Sequence, residues 1–211
     1  MKISAVIFDL GGVVLGSPLH AIAEYERELG LAPNAVNHVV ANTAPQGAWS
    51  RLERGEISME QFYIDFESDC AAAGHTLSAR EMMHRMGEAA KPRPVMLNAI
   101  TRLRENGFQV AALTNNWAHE SGSVDDGTRA LRNFFDVFIE SSVEGLRKPD
   151  PQIYALACDR LGVAPQQAAF LDDIGINLKS ARAFGMRTIK VEEPETALRE
   201  LESLIDQPLL D

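Results

Sequence analysis

Apolar residues collect in five short runs, at 3–8, 108–113, 137–139, 168–171 and 187–191. Each is mostly apolar on both alternations, the pattern of a strand buried on its two faces. Stretches of helical periodicity separate the last four runs. Strand and helix therefore alternate, which predicts a parallel sheet with right-handed crossovers. Asp150-Pro151 reads as an N-cap followed by the first helical residue, and Leu161-Gly162 as the matching stop. Pro194 opens a last amphipathic helix whose apolar stripe is Ala197, Leu198, Leu201, Leu204 and Ile205.

The first and second runs lie too far apart for this scheme, because residues 16–90 greatly exceed one crossover helix. Helix starts recur inside the gap, at Ser17-Pro18 and at two capping-box sequences, Ser58-Met59-Glu60-Gln61 and Ser78-Ala79-Arg80-Glu81. The expected organisation is an α/β core of residues 1–15 and 91–211, with residues 16–90 inserted as a helical cap. Met82, Met83 and Met86 read as cap core rather than as a site.

Charge removes several function classes. The 20 Lys and Arg against 30 Asp and Glu give a net charge of −10, and no basic run offsets it locally, so neither nucleic acid nor an anionic membrane is an expected partner. No stretch approaches the roughly 18 apolar residues of a membrane span. Asp9 and the glycines after it break the apolar N-terminal segment before it takes the form of a secretory signal. Cys70 and Cys158 stand in no CxxC or Cys/His spacing, so a cytoplasmic location is expected, and neither a disulfide framework nor a zinc site is. The five histidines, His20, His38, His75, His84 and His119, fall in no ligand spacing.

Four places can carry chemistry. Asp9 ends the first strand beside the flexible Gly11-Gly12, at the strand end where open α/β sheets bind ligands. Thr114 has the equivalent place after the second strand, where a hydroxyl and exposed amides can hold a phosphate oxygen. Lys148 precedes a helix N-terminus, a place the helix dipole disfavours for a cation unless an anion is also present. Asp172 and Asp173 end the fourth strand side by side, where they repel unless a cation or a proton intervenes, and a hard oxygen-ligated metal such as Mg²⁺ suits them. Taken singly, Asp9, Thr114 and Lys148 read first as turn, cap or loop residues, and only the paired aspartates are better explained by a metal than by a cap. Taken in order, they form a pattern that coincidence does not explain.

That pattern resembles the haloacid dehalogenase superfamily, and a cap after strand 1 resembles its subclass with a helical first cap. The segments 8–13, 113–117, 148–154 and 170–179 are most similar to the N-terminal phosphatase domain of soluble epoxide hydrolases and its stand-alone relatives. The resemblance runs over nearly the whole chain and implies a Rossmann-like sheet of order 5-4-1-2-3 with helices on both faces. It further implies Asp9 as nucleophile and metal ligand, with Thr114 and the amide of Asn115 on the phosphoryl group. Lys148 would neutralise charge between that group and the carboxylates. Mg²⁺ would be held by Asp9, the Gly11 carbonyl, Asp172 and Asp173, with Asp173 the direct side-chain ligand and Asp172 in support. The second Asp of the family's Asp-x-Asp motif is here Gly11, which keeps a carbonyl but has no side chain to act as general acid and base.

The expected activity is therefore Mg²⁺-dependent hydrolysis of a small phosphate monoester through an aspartyl-phosphate. Two other readings stay open: a metal-free haloacid dehalogenase, in which Asp9 attacks carbon, and a non-catalytic module that keeps the fold. In the cap, Trp49, Arg51 and Arg54 either face the crevice and select the substrate or serve ordinary packing and solvation. The sequence pattern leaves the oligomeric state open.

Overall fold

The computed structural model describes residues 2–117 and 128–210; His119 lies outside them. The runs expected to be strands are β1 (Ala5–Phe8), β2 (Gln109–Thr114), β3 (Val137–Glu140), β4 (Ala168–Asp172) and β5 (Arg187–Lys190). They form one all-parallel sheet in the order β3-β2-β1-β4-β5, the expected order read from the other edge.

Alternation along β1 sorts its side chains onto two faces. Val6 and Phe8 join a cluster with Val110, Ala112, Ala169 and Leu171, covered by helices α6 (Pro94–Glu105) and α11 (Pro194–Ile205). Ala5 and Ile7 join Ala111, Leu113 and Phe170 on the other face, beneath α9 (Pro151–Leu161) and α10 (Gly175–Phe184). Both faces of the inner strands β2, β1 and β4 are thus buried, which is why these lack polar alternation, while the edge strand β5 exposes Arg187 and Lys190. Short helices α7 (Thr128–Leu131) and α8 (Ser141–Glu144) flank β3.

Between β1 and α6 the chain forms α1 (Pro18–Glu28), α2 (Ala35–Thr43), α3 (Ala48–Glu53), α4 (Met59–Ala72) and α5 (Ala79–Ala89). These share a separate cluster built on Ile22, Val39, Leu52, Phe62, Phe66 and Met82, with Met83 and Met86 in it. The two connections to the sheet run antiparallel: Leu15 bridges Pro92, Gly16 N donates to Lys91 O at 2.9 Å, and Arg93 N donates to Val14 O at 2.9 Å.

The helix ends follow the sequence with two corrections. Asp150 caps α9 by accepting from Gln152 N at 2.9 Å, and Gly162 ends that helix in the left-handed region. Ser58 and Ser78 accept from Gln61 N and Glu81 N, but Gln61 and Glu81 turn outward to Asp65 and Arg85, so only half of each capping box forms. Ser17 precedes α1 without a side-chain cap; Pro18 alone marks the start.

Candidate active site

The sheet register builds the site. Phe8 pairs with Leu171 on one side and with Ala112 on the other. Asp9 and Asp172 therefore leave the sheet side by side, with Thr114 one residue beyond the level of Asp9. After Asp9 the chain makes a wide turn over Leu10–Val14, closed by Leu15 N donating to Leu10 O at 2.8 Å. Gly12 sits in that turn at φ +80°, where a Cβ would lie 2.2 Å from Asp173 Oδ2. Only glycine lets the turn and the Asp173 carboxylate approach this closely. Arg93 Nη1 holds the turn from behind by donating to Gly12 O at 2.9 Å.

Lys148 enters from the loop before α9, with its ammonium 2.8 Å from Asp9 Oδ1 and 2.8 Å from Asp172 Oδ2. It is 1% exposed. Asn115 fixes the loop that carries it: Lys148 N donates to Asn115 Oδ1 at 2.8 Å, and Asn115 Nδ2 donates back to Lys148 O at 3.1 Å. The end of β2 and the loop before α9 are thus stitched together at the site.

The two neighbouring aspartates differ sharply. Asp172 is fully satisfied, accepting from Lys148, from Ile174 N at 2.7 Å and from the Asn177 side chain at 3.1 and 3.2 Å. Tyr154 steadies Asn177 in turn by donating to its carbonyl at 2.9 Å. Asp173 Oδ1 is buried and has no hydrogen-bond partner. Oxygens of Asp9, Asp172 and Asp173 lie within 4.8 Å of one another.

Three carboxylates meet one ammonium, with the Arg93 guanidinium near enough to act on Asp173, so negative charge is in excess. Burial, together with Asp172 and Asp173 and against the pull of Lys148, pushes the Asp9 carboxyl up to about 8. Burial and then Asp172 raise Asp173 to about 6. Burial works against the charge of Lys148, but Asp172 and Asp9 together lift its pKa above the ordinary lysine value. Such a cluster holds protons unless a cation replaces them, and an all-oxygen set with one unpaired buried oxygen suits a hard divalent ion.

Thr114 is buried at the end of β2, its hydroxyl 3.4 Å from Asn115 O. Asp9, Thr114, Asn115, Lys148, Asp172 and Asp173 thus gather at one end of the sheet, with Gly11 in the adjoining turn. The three cap residues singled out in the sequence do not extend this set. Trp49 packs edge-on against Phe62, Phe66 and Trp117. Arg51 pairs with Asp65, and Arg54 with Glu56.

Glu53, at the end of α3, hydrogen-bonds to residues beside the sheet. Its Oε2 accepts from Arg147 Nε at 2.5 Å and from Asn115 Nδ2 at 3.3 Å, while Oε1 accepts from Trp49 Nε1 at 3.0 Å. Glu53, Arg147 and Asn177 all sit inside or beside segments that attracted attention. One signal for Asn177 was its place in the first turn after the paired aspartates.

Carboxylates gathered in this way over the ends of a parallel sheet are the arrangement that the resemblance implied, and the comparison of sequences gives the class, a family of hydrolases. A family model described as haloacid dehalogenase-like hydrolase matches residues 3–185, and the chain belongs to that family. It is 37% identical to bifunctional epoxide hydrolase 2 of Sus scrofa over its whole length, covering 40% of that protein. It is 30% identical to a phosphatase of Mycobacterium tuberculosis, with 97% of this chain and 96% of the relative covered. The chain spans two fifths or less of the mammalian relatives it matches. Among solved structures, it is similar to a haloacid dehalogenase family enzyme from Bacteroides thetaiotaomicron, determined with magnesium and inorganic phosphate. That match has a TM-score of 0.63 and 20% identity, and covers 90% of this chain and 95% of the other. Dehalogenases share the fold as well, so the fold alone does not choose between the two chemistries.

Proposed function

We propose that this chain is a Mg²⁺-dependent phosphatase that hydrolyses a small phosphate monoester through an aspartyl-phosphate on Asp9. The observation that carries the reading is the unpartnered, buried Asp173 Oδ1 in a group of three carboxylates that one lysine cannot neutralise. A dehalogenase working without metal has no use for that excess of charge. The phosphatase and the magnesium- and phosphate-bound enzyme among its relatives support the same choice.

Asp9, the Gly11 carbonyl and Asp173 would hold the ion, with Asp172 in support; bound there, it would offset negative charge at the phosphoryl group. Asp9 receives both of its donors, Leu10 N and Lys148, on Oδ1. The carboxylate is thereby oriented, and Oδ2 is the oxygen that attacks phosphorus as the ester oxygen leaves. Water then cleaves the acyl phosphate and regenerates Asp9, so one hard displacement becomes two easier ones. Lys148 and the Asn115 amide, with the Thr114 hydroxyl, stabilise charge on the transferring oxygens. Asp172 does not react; it holds Lys148 in place.

In this reading residues 16–90 are the cap and residues 1–15 with 91–211 the catalytic core. Among the described residues no helix is long and apolar enough to cross a membrane, and a small phosphate ester in the cytoplasm is the proposed partner. An aryl phosphate and a 2-haloacid, each assayed with Mg²⁺ and with chelator, test the proposal. Phosphate release that needs Mg²⁺ is expected. Chelator-resistant halide release would replace it with the dehalogenase reading.

A further inference from the structure

Besides the packing of Trp49 on Trp117, the cap is tied to the site by the hydrogen bonds of one carboxylate. Glu53 ends α3, is 6% exposed, and accepts from three donors on three different segments. Trp49 lies one turn back on its own helix. Asn115 follows β2, and Arg147 immediately precedes Lys148. Both core donors fall on the same oxygen, Oε2.

The chain of contacts continues inward. Asn115, held by Glu53, makes the paired hydrogen bonds to the backbone of Lys148. Lys148 in turn reaches Asp9 and Asp172. Arg147 ties the residue before Lys148 to the same cap carboxylate. Two core segments that share no element are therefore gripped from above at a single point. The contact is also a tight one: a Cβ on Gly55, two residues after Glu53, would lie 2.4 Å from Ser142 O in the core.

We infer that Glu53 is a positioning residue, which sets Asn115 and Arg147 and through them the Lys148 backbone, so that the seated cap completes the placement of the Lys148 ammonium. This rests on the phosphatase reading for its kinetic consequence but not for its structural one. Glu53 itself touches no reacting atom. A displacement of a few tenths of an ångström at Lys148 acts on the transferring charge and lowers kcat, while a residue that merely bound the leaving group would show in KM.

The test uses the whole chain and two readouts. Glu53→Asp withdraws the carboxylate by one methylene and keeps its charge; Glu53→Ala removes it; Glu53→Gln keeps an acceptor at the original reach. Residue-resolved amide exchange is expected to show the Lys148 N–H about tenfold less protected in Glu53→Asp and Glu53→Ala. Phe66 in the cap core and Ile189 in β5 should exchange as in wild type, and Glu53→Gln should recover most of the protection at Lys148. On an aryl phosphate with Mg²⁺, kcat should fall by about tenfold or more in Glu53→Asp with KM little changed. If Glu53→Ala does not fold, the Asp and Gln variants decide. Unchanged protection of Lys148 in Glu53→Asp would overturn the inference, and so would a rise in KM with kcat intact. A wild-type protein that releases no phosphate would instead overturn the proposed function, and the exchange result would still decide the role of Glu53.

Discussion

Gly12 and Asp173 are packed so closely that no side chain fits between them: a Cβ on Gly12 would lie 2.2 Å from Asp173 Oδ2. The backbone at Gly12 is also left-handed, at φ +80°. Gly12→Ala must therefore move Asp173 and strain the turn together, the strain alone costing roughly 1–2 kcal/mol. We expect Mg²⁺ affinity, read by calorimetry, to fall at least about tenfold, since one oxygen ligand is displaced. Wild-type affinity in a folded Gly12→Ala protein would remove Asp173 from the ion site.

Asp9→Asn should cost about 10⁴-fold or more in phosphate release, because it removes the oxygen proposed to attack phosphorus. Stability should move the other way. The Asp9 charge is disfavoured by burial and by its two acidic neighbours, and Lys148 keeps Asp172 as a partner. The melting temperature in chelator at pH 8 is thus expected to equal or exceed that of wild type. A clear drop would mean that the Asp9–Lys148 pair is a net source of stability.

Stability in chelator should depend on pH with a definite sign. Asp173 at about 6 and Asp9 at about 8 both sit above the ordinary aspartate value of 3.8. Between pH 4 and pH 8 the folded chain therefore binds more protons than the unfolded one, and the stabilisation present below about pH 4 is lost progressively as pH rises through the two folded values. Excess Mg²⁺ replaces those protons and should flatten the decline, with the gain in melting temperature growing from pH 5 to pH 8. A chelated protein that instead gained stability over this window would show the cluster to be fully ionised and paired without metal.

Lys148→Met keeps the buried stem and removes the charge between Asp9 and Asp172. Leaving those carboxylates uncompensated should destabilise the chelated protein by about 3–5 kcal/mol. Urea titration measures this, and a loss under about 1 kcal/mol would show that protons on the carboxylates already do the work of the lysine.

The inner strands were legible because burial on both faces left them as nearly unbroken apolar runs, and Asp9, Lys148, Asp172 and Asp173 because each interrupts such a run or a helix start. Their convergence followed from strand order, which the resemblance implied and the register bears out: β1 and β4 are neighbours, with Asp9 and Asp172 at one level. Glu53 was not legible. Its partner Arg147 lies 94 residues away, and within its own segment a Trp and two Arg drew attention by residue type alone. Those arginines found local carboxylates, at Asp65 and Glu56, as surface arginines on short helices commonly do. The half-formed capping boxes have a similar cause, since Gln61 and Glu81 have competing partners one turn further along.

Gly11, unlike Gly12, is not demanded by the backbone. Its φ of −65° and ψ of 124° suit any residue, and an added Cβ would meet only the ring of Pro18 at 3.6 Å, an ordinary contact. The missing side chain is thus a chemical feature of the site rather than a steric necessity. General acid help is worth about 10² to 10⁴ in rate, or roughly 3–5 kcal/mol of barrier. An alkoxide leaving without that proton bears most of this cost, whereas aryl, acyl or anomeric sugar oxygens leave as stabler anions and bear less. The rate should therefore fall steeply as the leaving-group pKa rises across a series of phosphate esters. Gly11→Asp adds a carboxyl on a Cβ that the turn accepts and should flatten that slope, raising turnover of alkyl phosphates far more than of aryl ones. Equal rates on alkyl and aryl esters in wild type, with chemistry shown to be rate-limiting, would mean that another group already supplies the proton.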